Sequence, residues 1–449
     1  MTDAARNLFA AAAAVKNVLL PVGTVTLPLV DRALRVTGPL PAGAERRILI
    51  VAPQPMYEDR GTPIAVLSVL RALSQLDYEV DLVTYPIGRP IEIPGVRVIR
   101  SPNPFGIRSV PVGFSLRKLV LDLTLIPTMW QQLRRQRYAC MHAVEEAAFP
   151  AAILGPWYQT PVIYDMQSSL PEQMVSHRGF RNRLVQRFLR ACEGWLLRRV
   201  ALVVSSAGLL RRVAEVAPET PASEWHFPTE SSAPASSATE RLRRELGITP
   251  SAPVILYAGT FEPYQGLPLL LDAVQVVRDR VPDAVFVLVG GSGESAEVVE
   301  REVVRRRLGG GVRLLGRKPR EQMPDYLAMA DVLVSPRSYG DNLPLKVFDY
   351  LASGRPIVAT DMPAHRSVLD DSRAVLTEPS AVGLGLGISR LLTRPEDSAR
   401  LAAAARAYSA KHLGWPRFVD AVDSVYEQAI PPLPVCLPHL ENSAASRVA

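Results

Sequence analysis

Cysteine is scarce in this 449-residue chain, and histidine is only a little more frequent. The three cysteines, Cys140, Cys192 and Cys436, are far apart, odd in number and free of any Cys-x-x-Cys pattern, so they indicate neither a disulfide framework nor a zinc site. The six histidines never fall at metal-ligand spacing, and no His-Glu-x-x-His motif is present. We therefore expect a protein of a reducing compartment that holds no structural metal.

Long uninterrupted apolar runs are also missing. The most apolar stretch, Leu8 to Val30, is broken by Lys16 and by two prolines and a glycine, which argues against a membrane-spanning helix. It is a poor signal peptide as well, because Asp3 precedes it and no clear small-residue cleavage site follows. We predict an N-terminal extension at residues 1–44. A segment lying on a membrane surface and, least favoured, a spanning segment are the alternatives.

Neither charge sign dominates, but the two halves of the chain differ. The formal net charge is +7, and residues 1–215 hold 26 Lys/Arg against 16 Asp/Glu, a balance of +10. The remainder holds 25 against 28, a balance of −3. A basic half is typical of proteins that meet nucleic acid, anionic membranes or phosphorylated ligands. The apolar fraction of 48% is that of a folded globular protein, which excludes disorder except at the ends.

What the sequence does contain is a regular alternation of short β-branched runs with amphipathic stretches, which is typical of βαβ units and parallel sheets. The predicted strands are residues 48–53, 80–85, 96–100, 140–144, 162–165 and 201–205, then 254–259, 285–290, 312–316, 332–335, 357–360 and 374–377. A chain of this length suits two domains. We therefore predict an α/β protein with two doubly wound, Rossmann-like domains facing a central cleft.

The predicted domains are residues 45–217 and 251–410. Residues 218–250 are rich in Pro, Ser, Ala and Thr and are interpreted as a linker with one short helix. In residues 411–430, apolar side chains recur three or four apart, which predicts a terminal helix that crosses back to the first domain. Residues 431–449 are predicted to be a disordered tail.

The most informative motif runs from Ser335 to Asp361. A strand ends at Ser335, a loop follows, and a helix is predicted to begin near residues 343–345. Unpaired N–H groups at a helix start suit a phosphate, and Arg337 and Lys346 add positive charge there. Asp349, one turn further along, has a carboxylate that can accept both hydroxyls of a ribose. The alternative is an ordinary pair of acids favoured by the helix dipole.

This stretch resembles the donor-binding signature of the retaining glycosyltransferases of family 4, which have the GT-B fold. That signature is two Glu separated by seven residues, and Asp341 and Asp349 stand at the matching positions. The resemblance implies that Asp341 is catalytic and contacts the transferred sugar, while Asp349 binds the nucleotide ribose. We assign the donor diphosphate to the charges of Arg337 and Lys346 and to the backbone amides near Asn342, Leu343 and Leu345.

Two glycine turns of the second half resemble further parts of the same family. Residues 257–266, which include Gly259, resemble the family's strand and turn in which an Arg and a Lys hold the donor diphosphate. In this chain Thr260 and Gln265 occupy the positions of that Arg and Lys. Gly291 lies in a stretch, residues 290–293, that resembles the family's glycine turn near the nucleobase. A plain turn between strand and helix is the alternative for the first stretch and an equal alternative for the second.

Residues 53–63 follow the first predicted strand and resemble the family's N-terminal glycine loop. Gly61 permits close approach of the backbone to a phosphate, and Pro63 suits the first turn of a helix. Arg60 and Thr62 flank this glycine and are candidates for the acceptor side. A purely structural turn is the alternative.

Residues 141–146 close another predicted strand. Many family members carry His-x-His-Glu here, and Val144 occupies the position of the second His, which lies near the reacting sugar. His142 is then either a catalytic substitute or a core histidine. Glu145 is a candidate for orienting the acceptor hydroxyl. Asp165, after the next strand, is either an acceptor-side group or a turn-forming residue.

Two basic segments are the remaining feature of the sequence that bears on function. Residues 178–199 contain seven Arg and a single acid, Glu193, and residues 116–137 repeat the pattern more weakly. Such segments are typical of helices on anionic lipid, and a solvated helix face is the alternative. No nucleic-acid-binding motif accompanies the charge, so we do not expect a nucleic-acid partner.

The resemblance implies an enzyme that moves a sugar from a nucleoside diphosphate sugar to a lipid, saccharide or small-molecule acceptor, with retention of configuration and no obligatory metal or cofactor. Positive groups and aligned amides are expected to stabilise the leaving diphosphate. We expect a cytoplasmic protein with peripheral contact to the inner membrane face. An epimerase of the same fold, a phosphorylase-like enzyme and a catalytically weak scaffold that binds nucleotide sugar are the alternatives.

Overall fold

The computed structural model describes residues 46–111, 115–175, 180, 182–229, 236–340 and 342–430. The predicted N-terminal extension, the predicted tail and the candidate catalytic Asp341 lie outside the described residues. So do residues 230–235 of the predicted linker and residues 178, 179 and 181 of the more basic segment.

The described strands form two sheets in which every neighbouring pair is parallel. The first sheet contains β1 (Arg47–Ala52), β2 (Glu79–Thr84), β3 (Val96–Arg100), β4 (Cys140–Val144), β5 (Val162–Met166), β6 (Leu202–Ser205) and β7 (Ala222–Glu224). The second contains β8 (Val254–Ala258), β9 (Val285–Val289), β10 (Val312–Leu314), β11 (Val332–Ser335), β12 (Ile357–Thr360) and β13 (Val375–Thr377). The predicted α/β class with two Rossmann-like sheets is confirmed.

Helices follow the strands and cover both faces of each sheet. They are α1 (Gly61–Gln75), α2 (Leu116–Arg135), α3 (Ala148–Trp157), α4 (Leu170–Val175), α5 (Arg183–Leu197), α6 (Ala207–Val216), α7 (Ser236–Glu245), α8 (Leu267–Arg278), α9 (Gly293–Arg305), α10 (Met323–Met329), α11 (Lys346–Ala352), α12 (Pro363–Arg366), α13 (Ala381–Thr393), α14 (Pro395–His412) and α15 (Trp415–Ala429). Strands buried on both faces, such as β4, β5, β8 and β9, explain the continuous apolar runs in the sequence.

Both sheets reverse their strand order at one place. The first sheet has the order β3-β2-β1-β4-β5-β6-β7 and the second β10-β9-β8-β11-β12-β13. Chain connections therefore leave in opposite directions from β1 and β4, and again from β8 and β11. In sheets of this kind a crevice opens outside the carboxyl ends of those strands, and ligands bind there. The loops after these four strands are therefore the expected position of a ligand site.

Helix α15 packs on the first sheet although it follows the second sheet in the chain. Phe418, Val422 and Tyr426 are buried in the same cluster as β1, β4 and α1, and Trp415 Nε1 donates to Gln75 Oε1 of α1 at 2.7 Å. The apolar face that lacked a partner in the sequence is thereby covered. A buried Phe of this kind contributes about 3 kcal/mol or more to stability.

The segment predicted as a linker is partly structured. β7 pairs with β6 at the edge of the first sheet, and α7 packs against α10 of the second domain. The chain therefore crosses between the domains twice, once between β7 and α7 and once between α14 and α15. The two crossings meet where the amide of Thr229 donates to the carbonyl of Leu413 at 3.3 Å. No helix within the described residues is long and apolar enough to cross a bilayer.

Candidate active site

The loops after β8, β9 and β11 touch one another through backbone atoms. Gly290 follows β9 with a φ of 126°, and a Cβ added to it would lie 1.8 Å from the carbonyl oxygen of Gly259. Gly266 has a φ of 74°, and a Cβ there would lie 1.8 Å from the carbonyl oxygen of Pro336. Only glycine fits at either position, because any side chain would enter the neighbouring backbone. The three strand ends therefore form one close-packed junction.

Lys346, the first residue of α11, extends its ammonium into this junction. Its Nζ donates to Gln265 Oε1 at 2.9 Å and lies 3.8 Å from the centre of the Tyr257 ring. Burial, with a smaller effect from Arg337, holds the pKa of Lys346 well below its usual value. No described carboxylate lies within ion-pair distance of this ammonium. A cation in such surroundings favours a bound anion, because an anion would restore its charge balance.

Arg337 lies beside Lys346 and is fixed by the loop after β11. Its Nε donates to the carbonyl of Tyr339 at 3.0 Å, and its guanidinium lies 5.0 Å from the centre of the Tyr264 ring. The carbonyl of Arg337 in turn accepts from Thr360 Oγ1 at 2.6 Å. Two cations predicted to contact a diphosphate are thus brought together on one side of the cleft.

Asp349 lies in the first turn of α11, and its carboxylate faces another cation. Its Oδ1 is 3.8 Å from Nη2 of Arg320, which belongs to the short 3-10 helix Arg320–Gln322 after β10. Both side chains are about a quarter exposed, so this pair contributes no more than about 1 kcal/mol to stability. A ligand hydroxyl can therefore displace the contact at little cost.

Residues 342–345 meet the first domain across the cleft. Asn342 Nδ2 donates to the carbonyl of Gln167, which follows β5. Leu343 is buried, and the Leu345 side chain lies 3.9 Å from the Cβ position of Gly61 at the start of α1. The predicted glycine loop of the first domain therefore faces the predicted donor loop of the second.

A group of charged side chains closes one edge of this cleft. Arg60 Nε lies 2.8 Å from Glu58 Oε2, and Arg317 of the second domain donates from Nη2 to the carbonyl of Asp59 at 3.0 Å. Burial lowers the pKa of Arg60, nearby Arg317 lowers it further, and Glu58 and Glu262 oppose that shift. Thr62 lies one residue into α1, behind Gly61. An open cavity of 290 Å³ at this edge is lined by Tyr57, Glu58, Asp59, Gly88, Arg89 and Arg317.

Both domains of this structure match known protein families. The family described as "Glycosyl transferases group 1" matches residues 238–408, and the "Glycosyl transferase 4-like domain" matches residues 60–226. The chain belongs to the group 1 glycosyltransferases of family 4. The resemblance carried by residues 335–361 is thereby confirmed.

Curated relatives of this glycosyltransferase share parts of its length. The D-inositol 3-phosphate glycosyltransferase of Xylanimonas cellulosilytica is 34% identical over 226 residues, 49% of this chain and 52% of that protein. The phosphatidyl-myo-inositol mannosyltransferase of Propionibacterium freudenreichii subsp. shermanii is 25% identical over 295 residues, 64% of this chain and 70% of that protein. The chain spans about half the length of the first curated relatives that it matches.

Solved structures confirm the predicted GT-B fold. Sucrose-phosphate synthase from Thermosynechococcus elongatus superposes with a TM-score of 0.73 at 18% identity, covering 85% of this chain and 98% of that structure. HepE of Anabaena in complex with UDP-glucose superposes with a TM-score of 0.67 at 16% identity, covering 85% and 99%. At these identities the likeness establishes the arrangement of the two domains only.

His142 lies in the core of this glycosyltransferase rather than in its cleft. Its Nδ1 is 2.7 Å from the hydroxyl of Tyr426 and its Nε2 is 3.5 Å from Asp165 Oδ2, and its ring stacks with those of Trp225 and Tyr426. Both His142 and Asp165 are almost fully buried. The position of His142 fits the core alternative, because α15 covers that face of the sheet. Asp165 also accepts from Gln167 Nε2, two residues further along, at 2.6 Å.

Glu145 does lie at the cleft end of β4, and its backbone is unusual. Its φ is +52°, a left-handed value that costs a residue with a side chain about 1 kcal/mol or more. Its carboxyl group accepts from Ser168 Oγ at 3.0 and 3.1 Å. Burial, followed by repulsion from Glu146, raises the pKa of Glu145 to about 8. The group is therefore largely protonated at neutral pH and can donate a hydrogen bond.

Glu146 belongs to a second titratable group next to Glu145. Lys118 Nζ of α2 lies 2.6 Å from Glu146 Oε1, and the hydroxyl of Tyr85 donates to Asp122 one turn further along α2. Burial, with repulsion from Glu146, raises the pKa of Asp122 to about 7. This end of the first sheet therefore changes its charge within the neutral pH range.

Several of these residues escaped the sequence analysis. Arg317 and Arg320 were not singled out, although they follow β10 and so lie at a strand end, which is where a ligand cation is expected. Lys118 and Asp122 carry no local signal, because only the packing of α2 brings them to Glu146. The described residues contain no group of three or more His, Cys, Asp or Glu placed to hold a metal ion.

Proposed function

We propose that this chain transfers a sugar from a nucleoside diphosphate sugar to an acceptor hydroxyl with retention of configuration. The observation that carries the proposal is the ammonium of Lys346, which is held at the junction of three strand ends, next to Arg337 and away from any described carboxylate. Negative charge builds up on the leaving diphosphate as the glycosidic bond breaks. Preorganised cations at that position lower the barrier because they stabilise charge that develops in the transition state.

We assign the other donor contacts from the places of Asp349 and Asp341 in the loop and helix after β11 and from the donor signature of the family. Asp349 is assigned to the ribose hydroxyls, which would replace its contact with Arg320. Asp341 is assigned to the transferred sugar. Lys346 also compensates for the loss of a cation at residue 265, because its Nζ lies at the amide of Gln265 itself. The complex of Anabaena HepE with UDP-glucose supports a uridine diphosphate sugar as the first donor to test.

The acceptor is proposed to enter from the first domain, past Arg60, Thr62 and Glu145. A protonated Glu145 can hold an acceptor hydroxyl as a hydrogen-bond donor, and the same group can take up the hydroxyl proton at higher pH. Two relatives are named for inositol 3-phosphate and phosphatidylinositol acceptors, which supports a phosphorylated polyol or a lipid that carries a polyol. A lipid acceptor would place the protein at the cytoplasmic face of a membrane.

A donor panel tests the proposal. The full chain is incubated with radiolabelled UDP-, GDP- and ADP-sugars together with a membrane lipid extract, inositol phosphate or a saccharide mixture. Label that moves to one acceptor, with the anomeric configuration of the donor, supports transfer. Nucleotide binding by calorimetry without turnover supports the scaffold alternative, and isomerised nucleotide sugar without an acceptor product supports the epimerase.

A further inference from the structure

Helix α2 has a second apolar face that no described residue covers. Five large apolar side chains on it are between 37% and 73% exposed, the highest value belonging to the first residue of the helix. They are Leu116, Leu119, Leu123, Ile126 and Trp130. Monomeric soluble proteins rarely expose contiguous apolar area of this extent unless another surface binds there.

The spacing of these side chains places them in one line. Steps of three and four residues keep side chains on one side of an α-helix, so the five residues form a continuous stripe, which we call the outer stripe. The opposite side of the same helix is already anchored, because Leu121, Leu125, Met129 and Leu133 are buried in the core of the first domain. The outer stripe is therefore not needed for folding of the helix onto the sheet.

All charge on the exposed side of α2 is positive. Its exposed charged residues are Arg117, Arg134 and Arg135, and the guanidinium of Arg134 lies 5.2 Å from the centre of the Trp130 ring. The one acid of the helix, Asp122, turns inward to Tyr85. The outer stripe thus runs between cations at both helix ends, with an aromatic ring near one end.

Helix α5 carries a smaller patch of the same kind. Leu184 and Phe188 are exposed on it, between Arg183, Arg187 and Arg190. Its acid Glu193 is buried and paired with Arg212. The inner faces of α2 and α5 pack into the same core cluster, so both helices lie on the same face of the first sheet. Both patches therefore lie on the same side of the first domain.

We propose that the outer stripe of α2, together with the start of α5, docks the protein onto an anionic lipid bilayer. The apolar side chains would enter the headgroup region while the flanking arginines bind lipid phosphates. The inference deepens the proposed function, on which it rests for the lipid acceptor. The inner side of α2 carries Lys118 to Glu146 at the cleft, so docking through α2 would bring the acceptor side of the site to the membrane.

Charge decides against two other occupants. A second copy of the chain would set arginines of α2 and α5 against arginines, which opposes association. Residues 1–45 contain four Lys/Arg and three Asp/Glu, so they offer no net negative charge to match the surface.

Sedimentation with vesicles tests the proposal. The full chain is mixed with vesicles of phosphatidylcholine containing 30% phosphatidylglycerol, and the triple variant Leu119→Gln, Leu123→Gln, Ile126→Gln is compared with it. We expect the triple variant to have a membrane partition coefficient at least tenfold lower than that of the native chain. The coefficient is calculated from the bound fraction at a fixed lipid concentration. The control is Val382→Gln with Leu386→Gln, two exposed apolar residues of α13 in the second domain, which should bind vesicles like the native chain.

Two further readouts separate the outcomes. Brominated lipids should quench the Trp130 contribution to the fluorescence, and Trp130→Phe should remove most of that quenching. Equal vesicle binding by the triple variant, or equal binding to neutral vesicles, overturns the proposal. A native dimer by sedimentation velocity that the triple variant loses would assign the surface to a second copy instead. Nucleotide binding by calorimetry is measured in parallel, so a failure of the proposed function appears there while vesicle binding remains.

Discussion

The junction of strand ends in the second domain holds two cations, whereas the end of β4 in the first domain holds two carboxyl groups. On the second side, Lys346 and Arg337 occupy a junction fixed by backbone contacts. On the first side, Glu145 and Glu146 share one lysine, Lys118, and the pKa of Glu145 is raised by burial to about 8. The donor side is thus rigidly built around Arg337 and a lysine whose pKa is lowered by burial, and the acceptor side is neutralised or charged according to pH.

The largest expected effect concerns the rigidity of the donor side. Gly290→Ala should lower the free energy of unfolding by about 4 kcal/mol, because the new Cβ would meet the carbonyl of Gly259 and the φ is in the left-handed region. Urea denaturation measures the change. Gly293→Ala is the matched control, since its φ is also positive but nothing lies within 4 Å, and about 1 kcal/mol is expected. Equal losses for both variants would show that the loops are not held by this contact.

A second prediction concerns the core of the acceptor side. His142→Phe should lower the free energy of unfolding by about 3 kcal/mol, because it removes the partner of the buried Tyr426 hydroxyl and one of the two partners of the buried Asp165 carboxylate. The turnover number of the variant should stay within a factor of a few of the native value. A large fall in turnover with unchanged stability would instead support the catalytic alternative for His142.

A third prediction concerns the donor cation. Lys346→Met should weaken nucleotide binding about 100-fold, or about 2.7 kcal/mol, because one charge-assisted contact to the diphosphate is lost while the apolar stem is kept. Calorimetric titration with uridine diphosphate measures it. Lys411→Met changes an exposed lysine of α14 and should bind the nucleotide normally. Unaltered affinity of the Lys346 variant would remove the observation on which the proposed function depends.

The smallest effect concerns the titration of the acceptor side. Because the folded pKa of Glu145 is about 8 against an ordinary value of 4.5, the folded state holds this proton more tightly than the unfolded chain. The resulting stabilisation is complete below pH 4.5 and disappears as the pH rises through 8. Glu145→Gln should therefore gain about 2 kcal/mol of stability relative to the native protein between pH 6.5 and pH 9.

Denaturation curves at the two pH values test this difference. Glu297→Gln, an exposed substitution on α9, serves as the control and should shift with pH as the native protein does. Parallel pH dependence of the native protein and the Glu145 variant would mean that Glu145 does not retain its proton.

The fold was largely predictable from the sequence, because buried parallel strands appear as short β-branched runs. β7 is the exception. Its three residues, Ala-Ser-Glu, contain no apolar run, and only its pairing with β6 makes them a strand. Helix α2 posed a different difficulty, because apolar residues lie on both of its faces and the sequence alone does not reveal which face the sheet covers.

The donor side was more predictable than the acceptor side for a physical reason. Gly259, Gly291 and Arg337 lie close behind strand ends and Lys346 begins the helix that follows β11, so local motifs fix their positions. Arg317 and Asp59 are 258 residues apart, so their contact depends on how the two domains meet. The role of His142 depends on which helix covers β4, and that helix, α15, comes last among the described elements.

The contact between Thr229 and Leu413 has a mechanical consequence. The chain passes between the domains twice, and the two passages lie side by side rather than at opposite edges of the cleft. We expect two adjacent connections to restrict twisting and sliding of the domains more than bending about the axis that passes through them. Opening of the cleft would then move Gly61 directly away from Leu345 and return it to the same position, so each turnover would begin from the same alignment of the two domains.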